Sequence, residues 1–326
     1  MADKCLIVGD IGGTNARFAL ANQAHPGFHD LIELKCADYE TSEEAIRYVL
    51  GQFGATTADA MCLAAAGPVV DGSINMTNNH WSISSEHIAS EFDVDAVRLL
   101  NDFEAIAYSL PFLAAEDRSV IGVTQGVGLS GRDFNVAVLG PGTGLGVAGL
   151  IGRDKRLIPI TGEGGHVAFA PESELQIDIL RALRKRFRRV SAERLVAGSG
   201  LENIYSALID VRGEQAESLS ASEVFAAAAD SSSLAADAVA VFFEIMGQVA
   251  GDLALTMGAW DGVYIGGGIA KRYPDTLTES RFRAAFDGKG RHSHILERVP
   301  TYLITHDQPG LLGASYLAQE LGATLS

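Results

Sequence analysis

Two glycine-rich turns contain the residue types that bind phosphate groups. The first is Gly9-Asp10-Ile11-Gly12-Gly13-Thr14-Asn15, which lies between two apolar runs that are typical of strands. Adjacent glycines can adopt positive φ and bring backbone N–H groups close to an anion. Asp10 adds a carboxylate that can hold a hydrated Mg²⁺ through water. The turn therefore predicts binding of the terminal phosphates of a nucleotide, and the structural alternative is an ordinary glycine-rich hairpin.

The second turn, Gly140-Pro141-Gly142-Thr143-Gly144-Leu145-Gly146, also joins two strand-like runs, and a third cluster, Gly266-Gly267-Gly268, follows a short apolar run. The chain has no Gly-x-x-x-x-Gly-Lys-Ser/Thr sequence, which excludes a P-loop. Residues 144–149 match Gly-x-Gly-x-x-Gly but lead into a strand, whereas the dinucleotide fingerprint opens a helix. Phosphate binding is therefore predicted at turns between strands.

Polar side chains at strand ends and in glycine-rich turns could bind a polyhydroxylated ligand. They are Asn78, Asn101, Asp102, Glu163, His166 and Glu193. Carboxylates and amides bind vicinal hydroxyls in fixed geometry, and an aspartate near one hydroxyl is the base that phosphoryl transfer to an alcohol requires. Each residue also has a structural alternative. Asp102 fits a helix N-cap, His166 fits a satisfied buried histidine, and Glu193 fits a surface ion pair with Arg194.

The hydrophobic pattern predicts two copies of one α/β plan that position these residues. The first copy reads strand–strand–strand–helix–strand–helix–strand–helix, and its last strand, residues 97–100, delivers Asn101 and Asp102. The second copy begins with strands at 135–139, 147–151 and 156–160. It continues through a helical region at 173–258, with a central apolar helix at 235–257, to strands at 263–265 and 301–305 and a closing helix at 311–321. Each copy therefore opens with a glycine-rich turn.

Composition restricts the class of protein. The 326 residues are 47% hydrophobic and 20% charged, which is typical of a globular chain of about two domains. The net charge of −16 argues against general binding to nucleic acid or to an anionic membrane. The three cysteines, Cys5, Cys36 and Cys62, show neither metal spacing nor a disulfide framework, which fits a reducing cytoplasm. We expect no signal peptide and no uninterrupted apolar segment of membrane-spanning length.

One basic run, residues 181–189, stands out in this acidic chain. Its basic members are Arg181, Arg184, Lys185, Arg186, Arg188 and Arg189. The pattern predicts a solvated helix face, and a subunit contact or an anionic effector site are the alternatives. The pair His292 and His294 lies in a charged, glycine-containing stretch, where a surface loop is favoured over a metal site.

A set of motifs spanning nearly the whole chain resembles the bacterial glucokinase family. The motifs are Gly9-Asp10-x-Gly12-Gly13-Thr14-Asn15-x-Arg17, Met76-Thr77-Asn78, Asn101-Asp102-Phe103, Gly142-Thr143-Gly144-Leu145-Gly146, Gly162-Glu163-Gly164-Gly165-His166, Ser191-Ala192-Glu193-Arg194, Gly266-Gly267-Gly268-Ile269 and His306-Asp307-x-Pro309-Gly310-Leu311-Leu312-Gly313. The resemblance implies a duplicated ribonuclease-H-like, actin-like ATPase fold: two α/β domains with an interdomain cleft. It implies a small domain of residues 1–111 with about 301–326, and a large domain of residues 112–300.

The same resemblance implies the activity and the site residues. The activity would be ATP-dependent phosphorylation of glucose at its 6-hydroxyl by a cytoplasmic homodimer that uses Mg²⁺. Asp102 would be the catalytic base and would bind glucose together with Asn78, Asn101, Glu163, His166 and Glu193. ATP would be bound by Gly9, Asp10, Ile11, Gly12, Gly13, Thr14, Asn15, Gly142, Thr143, Gly144, Gly266, Gly267 and Gly268. Asp10 would contact Mg²⁺ indirectly, through water.

Three other functions remain open at this point. A sugar-sensing repressor on the same fold would need a DNA-binding module, for which few residues precede the first strand. A chaperone-type ATPase would leave Glu163, His166 and Glu193 without a purpose. A kinase for another hexose, such as mannose or fructose, differs only in the shape of its pocket. The wider group of related sugar kinases and repressors usually has a cysteine zinc motif after its Glu-x-Gly-His sequence. Membership of that zinc-bearing branch is excluded here, because no cysteine follows Cys62.

Overall fold

A computed structural model describes residues 4–76 and 78–325, so that Thr77, which belongs to one of the motifs above, lies outside the described part. The described strands are β1 (Leu6–Ile11), β2 (Asn15–Ala21), β3 (Phe28–Lys35), β4 (Ala60–Ala65), β5 (Ser73–Asn75), β6 (Ser82–Ser84), β7 (Ala96–Asn101), β8 (Arg118–Ile121), β9 (Phe134–Pro141), β10 (Leu145–Arg153), β11 (Arg156–Thr161), β12 (Gly262–Ile265) and β13 (Thr301–Ile304). The described α-helices are α1 (Ser42–Gln52), α2 (Ser85–Phe92), α3 (Asp102–Ser109), α4 (Glu174–Arg184), α5 (Gly198–Arg212), α6 (Ala221–Ala227), α7 (Leu234–Met257), α8 (Gly268–Arg272), α9 (Pro274–Glu279), α10 (Phe282–Asp287), α11 (Ser293–Leu296) and α12 (Pro309–Thr324).

The chain forms two compact units. The first contains the residues up to Ala114 together with those from His306 onward, and the second contains Ala115–Thr305. The C-terminal helix α12 thus belongs to the first unit, where it packs on α3, β1 and β4.

The first unit is built on a sheet with the strand order β3-β2-β1-β4-β7. The first three strands are antiparallel neighbours, whereas β4 and β7 continue the sheet in parallel to β1. Buried side chains such as Ile7, Phe18 and Met61 form its core. The parallel strands end at one edge of the sheet, because parallel neighbours share a direction. This edge is where β7 delivers Asn101 and Asp102.

The second unit repeats this plan. Its sheet has the order β11-β10-β9-β12-β13-β8, in which β9, β10 and β11 are antiparallel and β12 and β13 continue in parallel to β9. The predicted duplication is therefore confirmed as a repeated strand order. The sequence pattern missed β8, a short edge strand antiparallel to β13.

One domain assignment differs from the expectation. Residues from Thr301 on were expected to return to the first domain, but β13 is the fifth strand of the second sheet, in the place that β7 occupies in the first. The Thr301 hydroxyl donates a hydrogen bond to the Ile121 carbonyl at 2.7 Å, which adds a side-chain bond to the pairing of β13 with β8. The return to the first unit starts at His306.

The long helix α7 forms the centre of the second unit, as its apolar pattern predicted. Among the described helices it is long and apolar enough to cross a membrane by length and composition, although Asp237, Glu244 and Asp252 interrupt its apolar sequence. However, 72% of its apolar window is buried inside the protein, where Phe242 and Phe243 are fully enclosed. A membrane span would expose that surface to lipid, and α7 therefore has the burial of a core helix.

Candidate active site

The first glycine-rich turn differs in detail from its prediction. Strand β1 continues through Gly9, Asp10 and Ile11, and Ile11 is fully buried. None of the glycines at 9, 12 and 13 has positive φ. The Gly12 N–H donates to the Asn15 carbonyl at 2.9 Å, so it is used within the turn. Positive φ is therefore not the reason for these glycines.

Close packing explains two of them. A methyl group on Gly9 would lie 2.8 Å from Leu63 Cδ2, inside the core. A methyl group on Gly13 would lie 2.9 Å from the Cβ atom of Asn78, so the missing side chain lets Asn78 pack directly on the turn. The structure thus brings Asn78, whose side chain is exposed, next to a turn that is distant in sequence.

Asp10 is a half-buried carboxylate at the end of β1. Burial raises its pKa above the ordinary value, and the positive charge of Arg17 opposes that shift. In the described part of the chain, no donor forms a hydrogen bond with this carboxylate. It lies against the first turn of α12, because a methyl group on Gly310 would be 3.1 Å from Asp10 Oδ2. The carboxylate therefore has free acceptor capacity.

Asn101 and Asp102 join β7 to α3. The Asn101 Oδ1 atom accepts hydrogen bonds from the backbone N–H groups of Phe103 at 2.9 Å and Glu104 at 3.4 Å. Its Nδ2 atom donates to the Gly67 carbonyl at 3.1 Å. The helix cap is thus Asn101, and the alternative in which Asp102 is the N-cap is wrong.

Asp102 is the first residue of α3, and one of its carboxylate oxygens accepts a hydrogen bond from the Phe103 N–H at 3.0 Å. Burial and the negative charge of Asp10 together raise the pKa of Asp102 to about 6. Hydrogen bonds from Phe103 N–H and Asn101 act in the opposite direction. A carboxylate with this pKa is ionised at pH 7 yet is more basic than an ordinary aspartate.

The second and third glycine clusters lie together because β9 and β12 are parallel neighbours. A methyl group on Gly140 would be 2.7 Å from the Gly266 carbonyl carbon, and one on Gly267, where φ is +83°, would be 2.5 Å from the Pro141 oxygen. In contrast, a methyl group on Gly142 or on Gly268 would meet no described atom within 4 Å. Gly140 and Gly267 thus allow two backbone segments to pack closely, whereas Gly142 and Gly268 border open space.

The structure brings Glu163, His166 and Glu193 together in the second unit. The Glu193 Oε1 atom lies 3.9 Å from His166 Nε2, and the Glu163 Oε2 atom lies 4.0 Å from His166 Nδ1. The side chains of Glu163, His166 and Glu193 are 65%, 59% and 28% exposed, so the buried-histidine alternative is wrong. The Arg194 guanidinium lies 4.4 Å from the centre of the Phe187 ring. The side chains of Glu163, His166 and Glu193 therefore form an open group whose polar atoms can hydrogen-bond to a ligand.

Glycines also shape this cluster. The Glu193 Oε2 atom accepts a hydrogen bond from the Leu145 N–H at 3.0 Å, and a methyl group on Gly144 would lie 2.6 Å from that oxygen. A methyl group on Gly165 would lie 2.2 Å from the Leu145 carbonyl oxygen, so this glycine lets the turn Gly164–His166 pack on β10.

The basic run is only partly helical. Helix α4 ends at Arg184, so the remaining basic residues lie in the turns after it, and all six are exposed. Arg189 was not predicted as a functional residue, yet its Nη1 atom donates a hydrogen bond to the His166 carbonyl at 2.6 Å. The unusual density of basic residues was the only sequence signal for it.

No direct metal cage exists in the part of the chain that the structure describes, since no group of three or more His, Cys, Asp or Glu side chains could hold an ion. This applies to His292 and His294 as well. Mg²⁺ is often bound through one carboxylate, several waters and the phosphates of a nucleotide, an arrangement that needs no such cage. The free acceptor capacity of Asp10 fits that arrangement.

Comparison with known proteins agrees with this description. The family model described as Glucokinase matches residues 7–321. A glucokinase from Yersinia pestis strain Pestoides F is 42% identical over 322 residues, which cover 98% of each chain. The crystal structure of a glucokinase from an Antarctic psychrotroph superposes with a TM-score of 0.88 at 33% identity, covering 98% of this chain and 99% of that one.

A more distant structure supports the fold alone. The glucokinase of the ROK family from Streptomyces griseus, in complex with glucose and AMPPNP, has a TM-score of 0.63 at 18% identity, covering 97% of this chain and 99% of that one. These structures have the actin-like ATPase fold with two domains, as the duplicated strand order predicts. The chain belongs to the bacterial glucokinase family, and it is an enzyme of that family.

Proposed function

We propose that this enzyme transfers the γ-phosphoryl group of ATP to the 6-hydroxyl of glucose and so produces glucose 6-phosphate. Membership of the family supports ATP-dependent phosphorylation of glucose. The observation that carries the mechanism is Asp102 at the start of α3, where burial and the charge of Asp10 raise its pKa to about 6. A base of that strength suits proton abstraction from an alcohol near neutral pH.

Glucose is proposed to be bound by Asn78, Asn101, Asp102, Glu163, His166 and Glu193. The support in the second unit is the open cluster of two carboxylates around the exposed imidazole of His166. In the first unit, Asn101 uses its amide oxygen to cap α3, which leaves one N–H of its amide nitrogen for a hydroxyl. Such partners reject a sugar that lacks the matching hydroxyl, because a polar group that the bound sugar buries would then be unpaired.

Asp102 is proposed to accept the proton of the 6-hydroxyl as that oxygen bonds to phosphorus and the bond to the leaving phosphate breaks. The carboxylate oxygen that bonds to Phe103 N–H is held by the helix, which leaves the second oxygen for the hydroxyl. Phosphoryl transfer leaves little other covalent work for a protein, so orienting the hydroxyl adds to the contribution that Asp102 makes as the base.

ATP is proposed to be bound by the glycine-rich turns. The open positions Gly142 and Gly268 flank a backbone that has room for a phosphate or a nucleoside, and Thr143 exposes a hydroxyl beside them. The other residues proposed to bind ATP are Gly144, Gly266 and Gly267 in the second unit, and Gly9, Asp10, Ile11, Gly12, Gly13, Thr14 and Asn15 in the first. Gly9 and Ile11 belong to this set as part of β1, the strand that leads into the turn and pairs with β2 and β4.

Mg²⁺ is proposed as the metal ion, bound to Asp10 through water. When bound, Mg²⁺ neutralises charge on the β- and γ-phosphates. The free acceptor capacity of the Asp10 carboxylate supports this assignment. Burial raises the pKa of this carboxylate because it disfavours the negative charge, and a nearby cation would offset that effect.

A cytoplasmic homodimer is proposed from the resemblance to the family. The described cysteines, Cys5, Cys36 and Cys62, are all unpaired, which suits a reducing compartment. Light scattering of the purified protein would give twice the chain mass of 34.4 kDa for a dimer, whereas a value equal to that mass would contradict the proposal.

The decisive experiment is coupled turnover of ATP with glucose, mannose, fructose, N-acetylglucosamine or no sugar, each with and without Mg²⁺. Strong Mg²⁺-dependent turnover with glucose alone is expected. Faster turnover with another hexose would agree with the proposed mechanism and contradict glucose as the substrate. Turnover without sugar, or none under any condition, would favour the ATPase or the sugar sensor instead.

A further inference from the structure

Arg189 differs from other members of the basic run in what it contacts. Arg181 bonds to Asp178 in its own helix at 2.7 Å, and Arg186 bonds to the hydroxyl of Ser206 at 3.0 Å. Arg189 instead donates a hydrogen bond at 2.6 Å to the backbone carbonyl of His166, a residue that the proposed glucose site uses. One arginine of this run therefore contacts a residue of the proposed site.

The segment around His166 needs such a contact. The sequence Gly162-Glu163-Gly164-Gly165-His166 has three glycines in five residues, so its backbone loses much conformational freedom when it is ordered. Inside the turn, His166 N–H bonds to the Glu163 carbonyl at 2.9 Å. A single short turn leaves its last carbonyls without partners in the turn itself. Arg189 supplies a charged donor to one of them.

The same stretch of chain connects His166 to Glu193. The Phe169 N–H donates to the Val190 carbonyl at 3.1 Å, and the Ala192 N–H donates to the Val167 carbonyl at 2.9 Å. Residues 189–192 thus run beside residues 166–169, with Arg189 at one end and Glu193 just beyond the other. A short paired segment therefore fixes His166 and Glu193 relative to each other.

We propose that Arg189 is a positioning residue for the sugar, because it fixes the backbone of His166 so that the imidazole and Glu163 meet glucose in one arrangement. This inference rests on the proposed glucose site. Arg189 touches no reacting atom in this arrangement. Its loss should weaken glucose binding and leave the rate of phosphoryl transfer at saturating glucose nearly unchanged.

The test compares Arg189→Met, which keeps an unbranched stem but has no hydrogen-bond donor, with Arg189→Lys, which keeps a charged donor group. For Arg189→Met we expect the KM for glucose, and the Kd from calorimetry without nucleotide, to rise about 3- to 10-fold, as for loss of one exposed charge-assisted hydrogen bond. The kcat should stay within about twofold, since only ground-state positioning is lost. Arg189→Lys should restore most of the affinity. Arg181→Met and Arg186→Met are matched controls that should bind glucose like the parent enzyme.

The background variant His166→Ala separates this inference from the glucose site on which it rests. If Arg189 acts through His166, Arg189→Met should add little further loss of affinity in that background. Unchanged glucose affinity in His166→Ala would overturn the proposed site. Weaker binding in His166→Ala with parental binding in Arg189→Met would overturn the positioning role alone. Equal losses in the two control variants would also overturn it, because they would indicate a general effect of charge.

Discussion

Glu193 uses its two carboxylate oxygens for different partners: Oε2 accepts a hydrogen bond from Leu145 N–H at 3.0 Å, and Oε1 faces His166. Leu145 is the first residue of β10 and follows the turn that contains Thr143. One side chain therefore links the second glycine-rich turn to the cluster that is proposed to bind glucose. The link exists because Gly144 has no side chain to displace Oε2.

Gly144→Ala should consequently destabilise the protein. The new methyl group would lie 2.6 Å from Glu193 Oε2, so the carboxylate must swing away and lose its hydrogen bond from Leu145 N–H, and loss of a hydrogen bond to a charged group costs about 1–3 kcal/mol. Gly142→Ala is the matched control, since its methyl group meets no described atom within 4 Å. Thermal unfolding without ligands measures both variants, and equal melting temperatures would contradict the packing argument.

Asp102→Asn should remove the base and retain the shape of the side chain. We expect kcat to fall by about 10²- to 10⁴-fold, which is the usual contribution of general base catalysis. Calorimetry should find glucose affinity within about threefold of the parent. Near-normal turnover would show that another group accepts the proton.

The pKa of Asp102 predicts an acid limb of the pH–rate profile. The base works only when it is ionised, so kcat/KM should be level above pH about 6 and fall tenfold per pH unit below it. An ordinary aspartate would keep the profile level down to its usual pKa of 3.8. A profile that is flat from pH 7 to pH 4.5 would contradict the environment described for Asp102.

The same pKa predicts how stability depends on pH. Because the folded state raises the pKa of Asp102 above its ordinary value, the folded protein holds this proton more tightly than the unfolded chain does. The ionised carboxylate thus destabilises the fold above pH about 6, and this penalty vanishes below pH 3.8. Asp102→Asn should therefore melt at a higher temperature than the parent at pH 7.5. The difference should shrink as the pH falls toward 4, and a constant difference would argue against the linkage.

Gly310 and Gly322 offer a matched pair of substitutions in α12. A methyl group on Gly310 would lie 3.1 Å from Asp10 Oδ2, and one on Gly322 would lie 3.0 Å from Leu6 Cδ2. Both changes to alanine favour the helix by up to about 1 kcal/mol. Only Gly310→Ala should reduce kcat, by about 2- to 10-fold, and raise the Mg²⁺ concentration for half-maximal rate, since the Asp10 carboxylate must shift by a few tenths of an ångström to make room. An equal loss in Gly322→Ala would indicate a disturbance of the whole helix.

Local patterns in the sequence were sufficient to predict several features of the fold. Apolar runs and glycines located the strands and turns of both copies, because burial and backbone freedom leave a signature within a few residues. The central helix was expected at 235–257 and runs over Leu234–Met257. The order of the motifs also indicated the family, which the comparisons confirmed.

Contacts between distant segments decided the rest. The strand Thr301–Ile304 belongs to the second sheet because its partners, β12 and β8, lie there. The sequence of these four residues does not indicate which sheet the strand joins. Gly13 and Gly144 are glycines because Asn78 and Glu193 pack on them from elsewhere in the chain. The pKa of Asp102 depends on burial and on Asp10, and the contact of Arg189 with His166 depends on two segments that run side by side. The sequence by itself determined the elements and the family, whereas only the tertiary structure decided which groups meet, because such meetings depend on packing across the fold rather than on neighbours in the chain.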